Sequence, residues 1–154
     1  MINMEICFKT IGFVKNAVEA KKDVSWGEEI SYLILDEEYE EGLKGLSDFS
    51  HITLIYYLDK AKFDKDRHLV RRPQNREDMP LVGIFAQRAK DRPNPIGMTS
   101  VELVAVEKNI ITVRGLDAID GTPILDIKPY YPMYDCKEKL RIPEWVSRLM
   151  EHYF

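Results

Sequence analysis

The stretch "RAKDRPNPIG", residues 88–97, combines charge and rigidity in a way that suits the wall of a binding pocket. Pro93 and Pro95 fix their own φ and disfavour helical backbone at the residues before them. Gly97 then permits a positive φ or the close approach of a ligand. The cations of the stretch are Arg88, Lys90 and Arg92. A proline-stiffened connection between two strands is the structural alternative.

A second stretch, "LDAIDGTPILDIKPYYP" at residues 116–132, holds three carboxylates, Asp117, Asp120 and Asp126. Asp120 belongs to a turn, where an aspartate is expected to bond backbone amides. Asp126 lies in an apolar run, and a buried carboxylate is costly unless it is paired. Lys128, on the same strand face, or an arginine would supply that partner. Such a pair would serve structure as readily as chemistry.

Several chemistries have no residues to support them. The three histidines stand apart, so no spacing suggests a metal site, and no GxGxxG, Walker or GxSxG motif occurs. Cys7 and Cys136 are distant and unaccompanied, which favours a reduced, cytoplasmic protein with structural thiols. No apolar run is long enough to span a membrane, and residues 1–10 lack the features of a secretory signal. We therefore expect neither a metal nor a membrane.

The net charge of −4 hides a basic segment. Residues 60–92 carry ten Lys or Arg and five Asp or Glu, for a charge of +5, whereas the rest of the chain carries −9. Because an electric field depends on how charge is distributed, such a segment can attract a polyanion to an acidic protein. From charge alone, nucleic-acid contact and a solvated loop explain the segment equally well.

The elements that must position these residues are mostly strands. Apolar runs rich in β-branched and aromatic residues predict strands over residues 6–14, 30–35, 52–58, 81–88, 100–106, 110–116 and 123–130. The turn at 107–109 predicts a hairpin. Helices are predicted over 37–46, where two glycines weaken the pattern, and over 143–153, whereas 59–80 reads as a long charged loop. The 154 residues fit one domain, mainly β, with six or more antiparallel strands closing towards a barrel or sandwich.

The most specific segments resemble a known family. "VGIFAQRAKDRPNPIGMTSVELVAVE" and "GLDAIDGTPILDIKPYYPMYD", together with "GLSDFSHITLIYYL", closely resemble the TsaA-like, or TrmO, family over about residues 6–135. Its members are tRNA methyltransferases that act on N6 of N6-threonylcarbamoyladenosine beside the anticodon. The resemblance implies a small, non-Rossmann antiparallel β-barrel with a few short helices, a single domain over 1–154 with a C-terminal helix at about 143–153. It also implies S-adenosyl-L-methionine as cofactor, the tRNA anticodon stem-loop as partner and a homodimer.

The resemblance further implies which residues hold the cofactor. These are Arg88, Met98, Leu116, Asp117, Ala118 and Ile119, with a further pair at Asp59 and Lys60. Many relatives carry His-Gln-like residues at that pair, so the chain departs from the family pattern there. Another contact segment falls near residues 24–26, where a Pro-Arg-Gln-like triplet of relatives is replaced by Val-Ser-Trp.

The remaining charged residues are candidates for two roles. Candidates for contact with tRNA are Arg71, Arg72, Arg76, Lys90 and Arg92. Candidates for the base that takes a proton from the acceptor nitrogen are Asp117, Asp120 and Asp126, chosen by proximity in sequence alone. Two other classes of function remain open: an RNA-binding module without catalysis, and a sensor that binds S-adenosylmethionine without transferring its methyl group.

Overall fold

Six strands pair edge to edge until the sheet closes on itself as an antiparallel barrel. The computed structural model describes residues 3–154. The strands are β1 (Gly12–Lys15), β2 (Ile30–Leu35), β3 (His51–Tyr57), β4 (Val70–Arg71), β5 (Val82–Gly83), β6 (Ile96–Glu107), β7 (Ile110–Arg114) and β8 (Pro123–Pro129). Around the barrel they follow the order β1–β2–β7–β6–β3–β8, and β4 pairs with β5 in a separate ladder. The mainly β architecture predicted from the sequence is confirmed, with the barrel as the observed form.

The core lies inside the barrel, where strands on several sides contribute buried apolar side chains. Leu33 on β2, Leu54 on β3, Ile111 on β7 and Ile124 on β8 are fully buried and belong to one hydrophobic cluster. Successive side chains of a strand point to opposite faces, so these alternate positions share the interior. Burying a large aliphatic side chain stabilises a fold by roughly 1.5–3 kcal/mol, so this interior supports the cleft at the barrel's edge.

The hairpin predicted at residues 107–109 joins β6 and β7, with Glu107 paired to Ile110. Lys108 adopts a positive φ of 52° in its turn. On its other edge β6 pairs with β3, where Tyr56 faces Gly97. A register shift between Ile55 and Tyr56 interrupts the pairing of β3 with β8. Such irregularities re-aim side chains, and this one lies where β3 enters the candidate site.

The predicted strand at 6–14 is shorter in the structure, because pairing begins only at Gly12. Met4, Ile6 and Phe8 are 67–70% exposed. These residues precede the barrel, and no neighbouring strand pairs with them within the described residues 3–154. The alternation of apolar residues in this segment is typical of a strand, although no other strand pairs with its backbone.

The predicted strand at 81–88 was also too long. Only Val82 and Gly83 pair, with the two residues of β4, and a 3-10 turn at Ile84–Ala86 follows at once. The strand cannot extend beyond these two residues, because its partner β4 ends at Arg71. The segment from 84 onwards is therefore free to turn towards the proline-rich stretch.

The two predicted helices differ in outcome. The segment at 37–46 forms two 3-10 helices, Glu37–Leu43 and Leu46–Asp48, because Gly45 takes a left-handed φ of 85° between them. Near the end of the chain, α3 spans Glu144–Met150, within the predicted range. The short α2 spans Pro132–Asp135.

Residues 59–80, which read as a charged loop, contain ordered elements. They include α1 (Lys65–His68), β4 and a 3-10 turn at Pro73–Asn75. Asp64 begins α1 by accepting a hydrogen bond from the backbone N–H of Asp66 at 2.9 Å. A capping bond and an ion pair between Arg67 and Asp64 occur in this segment, and neither leaves an apolar period in the sequence.

Two further features concern the residues 3–154 as a whole. No helix among them is long and apolar enough to cross a membrane. Nor does any group of three or more His, Cys, Asp or Glu side chains in this range have the arrangement needed to hold a metal ion. Cys7 and Cys136 are both exposed free thiols, so the structural role expected for them is wrong.

Candidate functional site

A cleft of about 1260 Å³ opens beside the barrel. Its walls come from the segment 19–26, from the ends of β3 and β6, from the segment 87–100 and from residues 117–119. The last part of the chain, residues 149–154, forms a further wall. Small-molecule sites usually enclose about 300–1000 Å³, so this cleft has room for more than one small-molecule group.

Asp117 lies half-buried in this cleft and accepts three hydroxyl hydrogen bonds. Tyr56 donates to Oδ1 at 2.9 Å, and Thr99 donates to the same oxygen. Tyr153 donates to Oδ2. An ionised carboxylate only accepts, and its two oxygens together offer about four acceptor sites. One acceptor site therefore remains, on Oδ2.

The two tyrosines beside Asp117 are donors and not bases. Burial raises the pKa of Tyr56, and the nearby negative charge of Asp117 raises it further. The same two causes, in the same order, raise the pKa of Tyr153. Both phenols therefore keep their protons at neutral pH, and each can donate its hydrogen to the carboxylate.

The proline-rich stretch both connects strands and lines the cleft. Arg92 Nη1 donates to the backbone carbonyls of Gln87 at 3.0 Å and Ala89 at 3.2 Å, which ties the stretch to its own start. The carbonyl of Pro95 accepts from the backbone N–H of Leu58 at 2.8 Å, which ties it to the end of β3. These bonds add to the stiffness that the prolines supply.

Gly97 is needed for packing against protein and not for a positive φ. A Cβ at this position would lie 2.8 Å from Cδ2 of the Tyr56 ring and closer still to two other ring atoms. The close approach expected at Gly97 is therefore that of the Tyr56 ring. Because Tyr56 donates to Asp117, the glycine of the motif helps to place the carboxylate.

The residues that the resemblance assigns to the cofactor mostly meet at this cleft. Arg88 is exposed, and its Nη2 donates to the carbonyl of Met98 at 2.6 Å. The other predicted residues lining the cleft are Met98, Asp117, Ala118, Ile119, Asp59 and Lys60. Leu116 is fully buried in the hydrophobic cluster and does not line the cleft. Of residues 24–26, only Trp26 lines it.

Two of the three candidate carboxylates lie away from the cleft. Asp120 accepts from the backbone N–H of Asn16 at 2.9 Å and from Lys15 Nζ at 3.2 Å. The Asn16 N–H, and then Lys15, hold the pKa of Asp120 below its usual value. Asp126 pairs with Lys128 Nζ at 2.8 Å, the partner expected from their shared strand face. Neither carboxylate lines the cleft, and both have structural partners.

The candidate RNA-binding arginines are largely held by partners within the chain. Arg72 donates to the carbonyl of Met79, and Arg76 binds Asp78 through two nitrogens, at 2.9 and 2.6 Å. Arg71 has only 16% of its side chain exposed and lies 3.8 Å from Asp91.

Three of the five candidates reach the cleft, namely Arg71, Lys90 and Arg92. Lys90 lies 3.2 Å from Asp91 and keeps 35% of its side chain exposed. Lys60, which the resemblance assigned to the cofactor, adds an exposed cation to the same wall. The cleft therefore presents positive charge mainly from its 60–92 side.

Sequence reasoning missed the hydroxyls that surround Asp117. Tyr56 lies in an apolar run and reads as a core residue, and Thr99 is one of many strand threonines. Tyr153 lies 36 residues from Asp117 in a segment that reads only as a helix. Tyr56 lies opposite Gly97 because β3 pairs with β6. Knowledge of that pairing would have indicated Tyr56 as a residue of the site.

Sequence and structure comparisons find known proteins that are similar to this chain. Residues 17–136 match the family described as the tRNA-methyltransferase O N-terminal domain. A probable S-adenosyl-L-methionine-binding protein of Pyrococcus abyssi is 41% identical over 153 residues, covering 96% of this chain and 80% of that protein. An S-adenosyl-L-methionine-binding protein of Archaeoglobus fulgidus is 39% identical over 136 residues, covering 86% and 94%.

More distant relatives are longer than this chain. The mouse tRNA (adenine(37)-N6)-methyltransferase is 38% identical over 103 residues, which cover 67% of this chain and 23% of that protein. The crystal structure of TrmO from P. aeruginosa superposes with a TM-score of 0.75 at 28% identity, covering 92% of this chain. The chain spans 62% of the length of that solved structure.

Proposed function

The chain belongs to the family of the tRNA-methyltransferase O N-terminal domain, and on that premise we propose that it methylates N6 of N6-threonylcarbamoyladenosine next to the anticodon of tRNA. S-adenosyl-L-methionine is the cofactor of this proposal, in keeping with the names of its archaeal relatives. One observation carries the proposal: the two family motifs converge on a single cleft, with Arg88 on one wall and Asp117 in the other. A tRNA substrate also argues for a cytoplasmic location.

The cleft fits the cofactor in size and in chemistry. Its volume of about 1260 Å³ leaves space for a nucleoside beside a small ligand. The exposed guanidinium of Arg88 can form a charge-assisted pair with a carboxylate. Met98 and the backbone of residues 117–119 would contact the rest of the ligand. When bound, S-adenosyl-L-methionine supplies a methyl group activated by a positively charged sulfur.

Asp117 is the proposed acceptor of the N6 proton. It is the one candidate of the three that lines the cleft, and Oδ2 keeps a free acceptor site. Acylation by the carbamoyl group makes the N6 proton more acidic than that of plain adenosine, so a carboxylate is a sufficient base. The proton would pass from N6 to Oδ2, and the electron pair left on nitrogen would form the new bond to the methyl carbon. The bond between that carbon and sulfur would break at the same time, with its electron pair kept by sulfur as a neutral thioether. Positioning of the reacting atoms supplies much of the remaining rate.

The substrate assignment is tested with two tRNA preparations, one from cells that make the threonylcarbamoyl group and one from cells that cannot. Radiolabelled methyl should be incorporated into the first preparation and not into the second. A site built to grip a charged group rejects analogues that lack it by large factors, about 10⁴-fold in favourable cases. Equal incorporation into both would contradict the assignment. RNA binding with no incorporation into either would instead support the non-catalytic module.

Binding of tRNA should weaken as salt rises, because neutralised phosphates release counterions. We expect the double variant Lys60→Ala, Lys90→Ala to show a shallower slope of log affinity against log salt, by about one unit per lost phosphate contact. Both lysines line the cleft, and Lys60 is exposed. Fluorescence anisotropy across a salt series measures the slope. The control double variant changes Lys9 and Lys44, which are exposed and lie outside the cleft. If the Lys60, Lys90 variant showed the same slope as the parent, these two lysines would not contact tRNA phosphates.

We also propose that the protein forms a homodimer. Apolar side chains are exposed along residues 4–8 and 131–142, among them Phe8 at 67%, Met133 at 84% and Leu140 at 72%. Several large apolar side chains exposed in the same segments favour an interaction surface. Light scattering coupled to gel filtration should report twice the chain mass at micromolar concentration. A single-chain mass under those conditions would overturn the proposal.

A further inference from the structure

The segment 143–154 lies beyond the family match at 17–136 and yet returns to the cleft. After α3, two backbone hydrogen bonds attach it to the wall of the cleft. Ser25 N–H donates to the carbonyl of His152, and Trp26 N–H donates to that of Tyr153, each at 2.7 Å. Residues 152–153 are therefore docked by backbone hydrogen bonds against residues 25–26.

The docking is tight enough to require a glycine. A Cβ on Gly27 would lie 2.7 Å from the backbone carbonyl carbon of Phe154, closer than real Cβ atoms approach backbone. Next to it, Trp26 is only 2% exposed. Any side chain at position 27 would have to displace the backbone of Phe154, the residue that follows Tyr153.

The docked segment delivers one hydroxyl to Asp117, and it does so on a particular oxygen. Tyr56 and Thr99 both donate to Oδ1, whereas Tyr153 is the only donor to Oδ2 among the described residues. Oδ2 is also the oxygen with a free acceptor site. Without Tyr153, the two bonds to Oδ1 would leave the carboxylate free to turn about them, because nothing else described holds its second oxygen.

We propose that Tyr153 is a positioning residue, which holds Oδ2 of Asp117 towards the N6 proton so that the segment 143–154 completes the site. This inference rests on the proposed function, because it concerns the oxygen that takes the proton. Tyr153 donates its own hydrogen throughout and takes none, since burial raises the pKa of its phenol. The proton from N6 occupies the remaining acceptor site of Oδ2, and the bond from Tyr153 stays in place.

The variant Tyr153→Phe removes the hydroxyl and keeps the ring, which packs edge-on against Phe154 at 4.9 Å between centroids. We expect kcat for methyl transfer to fall about tenfold, a part of what a positioned base contributes. KM for tRNA and the dissociation constant of S-adenosylmethionine should stay within about twofold of the parent, because Tyr153 orients the base and holds neither ligand. The control is Tyr32→Phe, a half-exposed tyrosine on β2 outside the cleft.

A second variant is expected to disturb Oδ2 of Asp117 without changing Tyr153 itself. Gly27→Ala should displace the docked backbone and lower kcat in the same way, with Tyr153 still in the sequence. Gly42→Ala is its matched control, because a Cβ at Gly42 meets nothing within 4 Å. Circular dichroism and thermal melting of each variant distinguish a displaced Tyr153 hydroxyl from a loss of folding.

The outcomes are distinct. A fall in kcat at steady KM and steady cofactor affinity, shared by Tyr153→Phe and Gly27→Ala, supports the proposal. A parent-like kcat in Tyr153→Phe overturns it while leaving the proposed function intact. A fall accompanied by an equal loss of cofactor affinity or of folding also overturns it, since Tyr153 would then serve only structure. A parent protein that transfers no methyl to modified tRNA overturns the proposed function and this role with it.

Discussion

Asp117→Asn is expected to lower kcat for methyl transfer by about a hundredfold or more, because positioned bases contribute roughly 10²–10⁴-fold to rate. The substitution conserves size and leaves an amide oxygen that can still accept from Tyr56 and Thr99 at the Oδ1 position. It replaces the oxygen that faces Tyr153 by an NH₂ group, which cannot take the N6 proton. Single-turnover kinetics with modified tRNA measures the step directly.

The matched control for this variant is Asp126→Asn. Asp126 forms an ion pair with Lys128 in which both side chains are about half-exposed or more, and it does not line the cleft. Exposed pairs of this kind contribute little to stability, so the control should fold and react like the parent. A rate for Asp117→Asn within threefold of the Asp126→Asn rate would rule out Asp117 as the base.

Arg88→Ala is expected to weaken binding of S-adenosylmethionine about thirtyfold. Hydrogen bonds to charged groups contribute about 1.5–3 kcal/mol, and a loss of about 2 kcal/mol corresponds to that factor. Arg88 carries an exposed guanidinium on the wall of the cleft, held by the carbonyl of Met98 at 2.6 Å. Isothermal titration calorimetry of the cofactor with purified protein gives the two dissociation constants without any tRNA.

The control for Arg88 is Arg67→Ala. Arg67 keeps 81% of its side chain exposed and lies outside the cleft, beside Asp64 at 3.6 Å. The Arg67→Ala substitution removes one positive charge from the same basic segment, so a non-specific effect of net charge would appear equally in both variants. Equal affinities for Arg88→Ala and the parent would show that the cofactor carboxylate binds elsewhere.

The sequence predicted a mainly β fold because its strands obey local rules, and the family resemblance specified the barrel. The apolar run Ile30–Leu35 predicted that strand with its observed bounds, and the turn at 107–109 predicted the hairpin. The strand predicted at 6–14 failed because pairing, which local pattern does not reveal, begins only at Gly12. The helix predicted at 37–46 became two 3-10 helices, because the left-handed φ of Gly45 divides it.

The candidate site was harder to predict, since its key contacts join distant parts of the chain. The resemblance brought Arg88 and Asp117 to the same pocket, and the structure places both at the cleft. Sequence proximity alone could not separate Asp117 from Asp120, because the separation depends on which way each side chain points after the turn. Nor could it find Tyr153, whose hydroxyl reaches Asp117 through tertiary docking against residues 25–26.

The central claim is that this chain methylates N6 of threonylcarbamoyladenosine in tRNA. Mass spectrometry of nucleosides tests it most directly, after modified tRNA has been incubated with the protein and S-adenosylmethionine and then digested. We predict that threonylcarbamoyladenosine is converted into a species heavier by one methylene unit, with the added methyl in the base fragment that contains N6. Unchanged threonylcarbamoyladenosine, or a methyl group found on any other nucleoside, would contradict the claim.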